Sequence, residues 1–320
     1  MNPFPFSDSN KRYHTYSYAL RRRFGSKVSR VSLNAGFTCP NLDGTKGTGG
    51  CIYCSSTGSG EFGGDPHADI RGQFAKVAEM MGQKWNTEKH IAYFQARTNT
   101  YAPVDTLRHF YEAALSCPGV VGLSIATRPD CLPEAVCDLL AEISERTYLT
   151  VELGLQTIHD TTGERINRCH TWADFLTGYQ KLHTRKIHVG VHIIDGLPGE
   201  THEMMLQTAR ELAGLDLHLV KIHLLHVLKG TRLARSYLAG EFPLLSLEAY
   251  VQIVCDQLEL FPPGFILGRL TGDGAPSALI GPDWSRKKFC VLNEIDKELV
   301  RRDSWQGKRY AGPAQNETDA

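Results

Sequence analysis

The stretch VVGLSIATRPDCLPEAVCDLLAEISERTYLTVELGLQT (residues 120–157) carries the plan of the fold in miniature. VVGLSIATRP is an apolar run stopped by Pro129, as a strand would be. LPEAVCDLLAEI (132–143) then sets its apolar residues at helical spacing, and YLTVELGLQT (148–157) is apolar and strand-like again. A strand, a helix and a strand within ~30 residues make a βαβ unit, with parallel strands and a right-handed crossover.

The same grammar extends in both directions. Upstream, KVSRVSLNAG (27–36) alternates like a strand, 67–84 has helical spacing, HIAYFQA (90–96) is strand-like, and 103–116 is helical after Pro103. Downstream come a helix over 172–186, a strand opening HVGVHIIDGLPGE (188–200), a helix over 202–213 and the strand LVKIHLLHV (219–227). The strands read as apolar runs, as in a parallel sheet covered on both faces. Six such units fall short of the eight that close a (β/α)8 barrel. A partial, open barrel and a doubly wound sheet therefore both remain.

The core of repeats spans 27–227, after an aromatic and basic segment over 1–26. A mixed C-terminal extension follows over 228–305, with a helix expected around 246–260 and a further segment near 285–303. The polar tail over 306–320 is expected to be disordered.

Lys+Arg and Asp+Glu both number 35, so the basic excess typical of nucleic-acid-binding domains is missing, which leaves that function undecided. No apolar run approaches the ~20 residues of a membrane span, and the N-terminus lacks an uninterrupted apolar stretch of the signal-peptide kind. The expectation is a cytoplasmic protein with no membrane partner. Nine cysteines without a secretory signal speak against a disulfide framework. Six of them, Cys117, Cys131, Cys137, Cys169, Cys255 and Cys290, stand singly in apolar or helix-like stretches and are expected to be core thiols.

The other three lie in a glycine-rich loop after the first strand, with the spacing C-x11-C-x2-C: Cys39, Cys51 and Cys54. Three thiolates can hold three irons of a [4Fe–4S] cube and leave the fourth open to an external ligand. A structural zinc site would need a fourth ligand, such as His67 or a distant cysteine. A thioredoxin-like C-x2-C pair would leave Cys39 without a role. Four further polar or Gly-rich segments leave the carboxyl ends of strands: FQARTNT (94–100), ATRPD (126–130), VELGLQTIHDTTGERINRCHT (151–171) and IIDGLPGET (193–201). That end is the functional face of such folds, so the four segments imply one shared site.

These motifs resemble the radical-SAM superfamily, in the branch with the oxygen-independent coproporphyrinogen oxidases and the Elongator catalytic subunit. The marks are E-x-G-x-Q from Glu152 to Gln156, N-R-x-H from Asn167 to His170, and GLPGET over 196–201. Within the branch, NPFPFSDSNKRYHTYSYALRRRFG (2–25), GGCIYCS (49–55), YFQARTNT (93–100), KIHLLHVLKGT (221–231) and RLTGDG (269–274) resemble the bacterial YhcC/YtqA type, on its YtqA side. The superfamily's usual three-residue gap between its first two cysteines is eleven here.

The resemblance implies an α/β fold, a partial (β/α)6 TIM-like barrel with a C-terminal extension. It implies a [4Fe–4S] cluster and S-adenosylmethionine, reductively cleaved to a 5′-deoxyadenosyl radical that takes a hydrogen from substrate. By position, Tyr53 resembles the aromatic beside the adenine, Glu152 the ribose ligand, and Gln156 and Arg168 the groups that hold the methionine part. Ile194, Gly196 and Leu197 resemble the turn under the adenine, and Gln95 and Thr127 share that face. Each has a plainer alternative. Glu152 and Arg168 would make a structural ion pair, Tyr53 would simply pack, and His192 would be a satisfied core residue. Asp130 would cap the helix near Pro133, and Gly272, Asp273 and Gly274 would form an ordinary turn rather than a loop at the barrel mouth.

The same resemblance implies a tRNA substrate, with conversion of 5-carboxymethylaminomethyl to 5-aminomethyl on the wobble uridine, and an electron donor such as flavodoxin or ferredoxin. Candidate RNA contacts are Lys11, Arg12, Arg21, Arg22, Arg23, Arg286, Lys287 and Lys288, with Tyr13, Tyr16 and Tyr18 available for stacking. Short basic runs are also common as solvated faces. The rivals are a radical-SAM oxidoreductase acting on a small metabolite or tetrapyrrole, and a non-catalytic iron–sulfur or zinc regulatory protein.

Overall fold

Seven parallel strands follow one another across a single sheet. The computed structural model describes Phe4 and residues 8–58, 63–85, 87–272 and 277–312. In chain order its elements begin with helix α1 (Tyr16–Phe24), strand β1 (Val28–Leu33), α2 (Ile70–Trp85), β2 (Lys89–Phe94), α3 (Val104–Leu115), β3 (Val120–Thr127) and α4 (Glu134–Arg146). Then come β4 (Tyr148–Gln156), α5 (Asp160–Arg165), α6 (Trp172–Thr184), β5 (His188–Asp195), α7 (His202–Ala213) and β6 (Leu219–Leu224). The C-terminal part holds β7 (Val227–Leu228), α8 (Arg232–Leu238), α9 (Leu247–Leu260), β8 (Ile266–Arg269), β9 (Leu279–Gly281) and α10 (Lys288–Arg301).

The sheet order is β1-β2-β3-β4-β5-β6-β8, every neighbouring pair parallel. A doubly wound sheet would reverse direction at a switch point. This one never does, and it curls into a half-barrel. The six expected strands are seven. The extra strand, β8, comes from the C-terminal extension, so the barrel does not end at residue 227. Four residues with a glycine among them have too little periodicity to announce a strand; pairing with β6 makes it one.

The strands are not apolar on both faces. Val151, Leu153 and Leu155 of β4 enter the apolar core, whereas Glu152, Gly154 and Gln156 line the inner cavity. In β6, Val220, Ile222 and Leu224 likewise alternate with Lys221 and His223. Successive side chains of a strand point to opposite faces, so one polar series faces the barrel's interior and one apolar series faces the helices. The helices answer with one apolar face each, as α4 does with Val136, Leu139, Leu140 and Ile143. Thr171 starts α6 with a capping box to Asp174, and Thr201 caps α7.

The two ends of the chain are built into the fold. The Leu267 N–H donates to His14 O at 2.8 Å, which docks the N-terminal segment along β8. The segment from Gln306 is ordered as far as it is described, contrary to the expected tail. Gln306 is fully buried; its N–H donates to Arg12 O (2.9 Å) and its side chain to Pro262 O (2.7 Å) and Phe265 O (2.9 Å). Residues 313–320 lie outside the described residues, as do Asp273 and Gly274. Of the six expected core thiols, Cys117, Cys131, Cys137 and Cys255 are buried, but Cys169 is only half-buried and Cys290 is exposed.

Candidate active site

At the carboxyl ends of the strands the half-barrel opens into a cavity. Cys39, Cys51 and Cys54 line it together with Gln95 after β2, Thr127 and Gln156 at the ends of β3 and β4, and Tyr53 and Arg168. Tyr93, Glu152, His192, Lys221, His223 and Arg269 form its floor. Residues from six strands and three loops therefore meet, although they are scattered over more than two hundred positions of the chain.

The cysteine loop is held by the N-R-x-H segment. Asn167 Nδ2 donates to Gly50 O at 2.7 Å and Thr48 O at 3.2 Å, and Asn41 Nδ2 donates to Asn167 O at 2.5 Å. The Ile52 N–H donates to Ile166 O (3.0 Å), the Leu233 N–H at the start of α8 to Ile52 O (2.9 Å), and Arg232 to Gly50 O. Gly49 and Gly50 bend the loop with φ of +75° and +70°. Asn167 itself has φ +54°, a conformation asparagine tolerates better than most residues. From the resemblance, one residue of this motif, Arg168, is expected to hold the methionine part of the cofactor. Much of its work is to shape the loop that carries the thiols.

Those thiols fit a cluster, since three of them line one cavity and each thiolate of a cube binds a different iron. The three cysteines share one cavity without a disulfide, and the Tyr53 hydroxyl bonds to Cys51. Burial pushes the Cys51 thiol up, opposed by that bond and by Arg128.

Several expected ligand groups are already engaged. Glu152 pairs not with Arg168 but with Lys221, and it also accepts from His192 Nε2 (2.7 Å) and Ser124 Oγ (2.5 Å), with Arg30 at 3.9 Å. Burial would raise its carboxyl, but Lys221, Arg30 and His192 outweigh that and hold it well below the usual range. Burial and the Lys221 charge lower His192 to about 4, so its ring is neutral. His192 is thus a satisfied histidine that also lines the cavity.

Arg168 is a structural hub. It donates to Leu155 O (2.8 Å), Thr157 O (2.5 Å) and His170 O (2.8 Å) and pairs with Asp160 (3.0 Å). Gln156 has φ +73°, where its strand breaks register, and Thr127 Oγ1 bonds Thr100 Oγ1 at 2.5 Å. Gln95 Oε1 accepts from Ser32 at 3.3 Å. Ile194 and Leu197 do not line the cavity; they pack with Ile52 and Tyr53 in a small apolar cluster behind it. Gly196 turns with φ +87°, and a Cβ there would meet Leu245 at 3.0 Å. Asp130 does not cap α4, whose N-cap is Pro133. It forms a two-pronged pair with Arg128 and lies 3.4 Å from Lys46.

The residues the sequence reading missed are Tyr93, Lys221, His223, Arg128 and Arg269, all on the cavity wall. For Lys221 and His223 the signal was the alternation in KIHLL, where charged or polar residues interrupt an apolar strand at every second position; Tyr93, Arg128 and Arg269 carried no such mark.

The basic residues expected to meet RNA are divided. Lys11 pairs with Asp296, and Arg12 donates to Ser304 O (3.2 Å) and pairs with Asp303 (3.1 Å), fastening the N-terminus to the end of α10. Arg21 pairs with Asp8 at 3.0 Å, and the Arg23 guanidinium lies 4.7 Å from the Tyr148 ring centroid. Tyr148 opens β4 and Lys89, bonded to Phe24 O, opens β2, so α1 closes the amino end of the barrel, away from the cysteines. Tyr13 is buried, and the Tyr16 ring is covered by the Arg30 guanidinium at 4.4 Å, so neither can stack on a base. Arg286 donates to Leu279 O (2.8 Å) and Asp283 (3.1 Å), leaving Lys287 exposed and Lys288 at the start of α10.

A parallel half-barrel with three free cysteines at its carboxyl end defines an iron–sulfur enzyme of the adenosyl-radical class. Residues 44–212 match the Radical SAM superfamily and residues 217–301 the Radical_SAM C-terminal domain, and the chain belongs to that superfamily. Its cofactors are accordingly a [4Fe–4S] cluster and S-adenosylmethionine. The chain is 53% identical to YtqA of Bacillus subtilis over 309 residues, covering 97% of this chain and 96% of that one. It is 37% identical to YhcC of Escherichia coli K12 over 281 residues, 88% and 90% of the two chains. A tRNA uridine(34) acetyltransferase of Methanocaldococcus jannaschii is 29% identical over 185 residues, 57% of this chain and 34% of that one. In fold, the archaeal Elp3 of Methanocaldococcus infernus superposes with a TM-score of 0.66 at 18% identity, covering 87% of this chain and 64% of that one. No described helix is long and apolar enough to cross a membrane.

Proposed function

We propose that this radical SAM enzyme modifies the wobble uridine of tRNA, converting a 5-carboxymethylaminomethyl group to 5-aminomethyl. The supporting observation is the similarity, over 185 residues of the chain, to a protein named for acetyl transfer to tRNA uridine 34. Bound cofactors would supply one-electron cleavage of the sulfonium and a carbon radical able to take hydrogen from substrate. Cys39, Cys51 and Cys54 would hold the cluster; Tyr53, Gln95, Thr127 and Gln156 line the path beside it. Ile194, Gly196 and Leu197 would back the adenine side through Tyr53 rather than touch the ligand. Glu152 and Arg168, engaged as they are, would reach S-adenosylmethionine only by exchanging partners they already hold. A small electron-transfer protein such as flavodoxin or ferredoxin would deliver the electron.

One observation favours a small-molecule substrate instead. Lys11, Arg12 and Arg286 are occupied, and Arg21, Arg22 and Arg23 lie at the far end of the barrel from the cysteines. Nucleoside analysis of tRNA from a strain lacking the gene separates the two. Accumulated 5-carboxymethylaminomethyluridine supports the tRNA reading, and unchanged wobble uridines reject it.

A further inference from the structure

Asn41 lies two residues after the first of the three cysteines and is fully buried. Its side-chain amide carries two N–H groups on Nδ2 and one acceptor, Oδ1. Nδ2 donates to Asn167 O at 2.5 Å and lies 3.7 Å from Cys51 Sγ, within reach of the larger sulfur atom. The first contact fixes which way the amide faces, because a backbone carbonyl only accepts. The second N–H is then left for the sulfur of Cys51.

The other side of the amide shows what this arrangement costs. Oδ1 is buried and has no hydrogen-bond partner among the described residues. The loop passes close over it: a Cβ at Gly47 would meet Oδ1 at 2.5 Å. A buried acceptor without a partner is destabilising. An amide kept only for its bond to Asn167 would therefore strand one polar atom to satisfy another. The contact with Cys51 supplies the further reason for an amide here.

A second donor reaches the same sulfur. The Tyr53 hydroxyl bonds to Cys51, so two uncharged donors meet on one ligand atom. Arg128 also acts on Cys51, but both oxygens of Asp130 accept from its guanidinium, which offsets most of its charge. The two hydrogen bonds remain as the local influence. A sulfur bound to iron keeps negative charge, and reduction of a cluster adds more. Hydrogen bonds to that sulfur strengthen as the charge grows, and so they raise the reduction potential.

We propose that Asn41 and Tyr53 tune the cluster: by donating to Cys51 Sγ they favour its reduced state and make it easier for an electron donor to charge. This inference rests on the cluster and is independent of which substrate the enzyme takes. Asn41 acts through Cys51 and is a positioning residue.

The test is the midpoint potential of the anaerobically reconstituted full chain, titrated spectroscopically without S-adenosylmethionine. Asn41→Leu keeps the branched shape and removes both donors, and Tyr53→Phe removes a single oxygen. Each should lower the equilibrium constant for one-electron reduction about tenfold, a midpoint ~59 mV more negative. The double variant should fall further than either. Asn167→Gly is the control: it keeps the backbone carbonyl that Asn41 donates to, and should keep the wild-type midpoint. Unchanged midpoints in Asn41→Leu and Tyr53→Phe overturn the proposal. A shift in Asn167→Gly as large as that in Asn41→Leu also overturns it, because the shape of the loop would then set the potential. If Asn41→Leu assembles no cluster, Tyr53→Phe decides: a more negative midpoint upholds the tuning of Cys51, and a wild-type midpoint rejects it.

Discussion

Replacing Asn167 should loosen the cluster without unfolding the barrel. Its side chain makes two hydrogen bonds to the cysteine loop, to Gly50 O at 2.7 Å and Thr48 O at 3.2 Å. Each is worth about 1 kcal/mol net, so Asn167→Gly, which keeps the backbone freedom needed at φ +54°, should cost the closed loop about 2 kcal/mol. Asn167→Ala forfeits the same bonds and adds about 1 kcal/mol for a left-handed alanine. At 1.4 kcal/mol per tenfold, the closed loop should become about 30-fold less favoured with Gly and more than 100-fold with Ala. The assay is the rate of iron release to a chelator from anaerobically reconstituted protein, with thermal unfolding of the metal-free chain measured in parallel. The expected order of release is Ala, then Gly, then wild type, with little change in melting, since Asn167 is outside the apolar core. Iron release at the wild-type rate in both variants would refute the clamp. A melting temperature that falls in step with iron release would show that Asn167 serves the fold as a whole.

Cys39→Ala, Cys51→Ala and Cys54→Ala should each abolish the iron–sulfide absorbance, whereas Cys117→Ala, Cys137→Ala and Cys255→Ala, in the buried core, should retain four irons and lose about 1–2 kcal/mol of stability. Loss of iron from Cys255→Ala would show that the ligand set is misassigned. Changing Arg21, Arg22 and Arg23 together to Ala should leave turnover on tRNA within about twofold, because α1 closes the barrel end opposite the cysteines; a tenfold loss would place the RNA on that end. Asp195, beside Gln257 at 2.8 Å, has its carboxyl raised to about 8, chiefly by burial. The folded chain therefore holds a proton that the unfolded chain releases near pH 4, and this contribution to stability is complete below that pH and lost as pH rises to about 8. Asp195→Asn should flatten that decline, raising the melting temperature more at pH 8 than at pH 5; an equal shift at both would contradict it.

Local pattern made much of the fold legible. The six strands from 27 to 227 and the helices between them, short α5 excepted, follow from apolar spacing, which each segment carries by itself. The trio of cysteines was legible because all three lie within one short glycine-rich loop, although the bonds from Asn167 that shape that loop were not. β8 was hidden because four residues become a strand only beside β6. The ordered segment at Gln306 was hidden because its side-chain bonds reach Pro262 and Phe265, more than forty positions earlier.

Charge partners divide along the same line. In the sequence Glu152 and Arg168 are opposite charges within one segment (151–171), which suggests that they pair. The curl of the sheet instead brings Lys221 of β6 and Arg30 of β1 to Glu152, while Arg168 turns to the carbonyls at the end of β4. Sequence by itself determined which residues alternate, which segments extend or coil, and which sulfurs share a loop, because those depend on neighbours along the chain. Only the tertiary structure decided which charges meet, where α1 lies, and that the barrel's interior is polar, because burial and Coulomb pairing depend on neighbours in space.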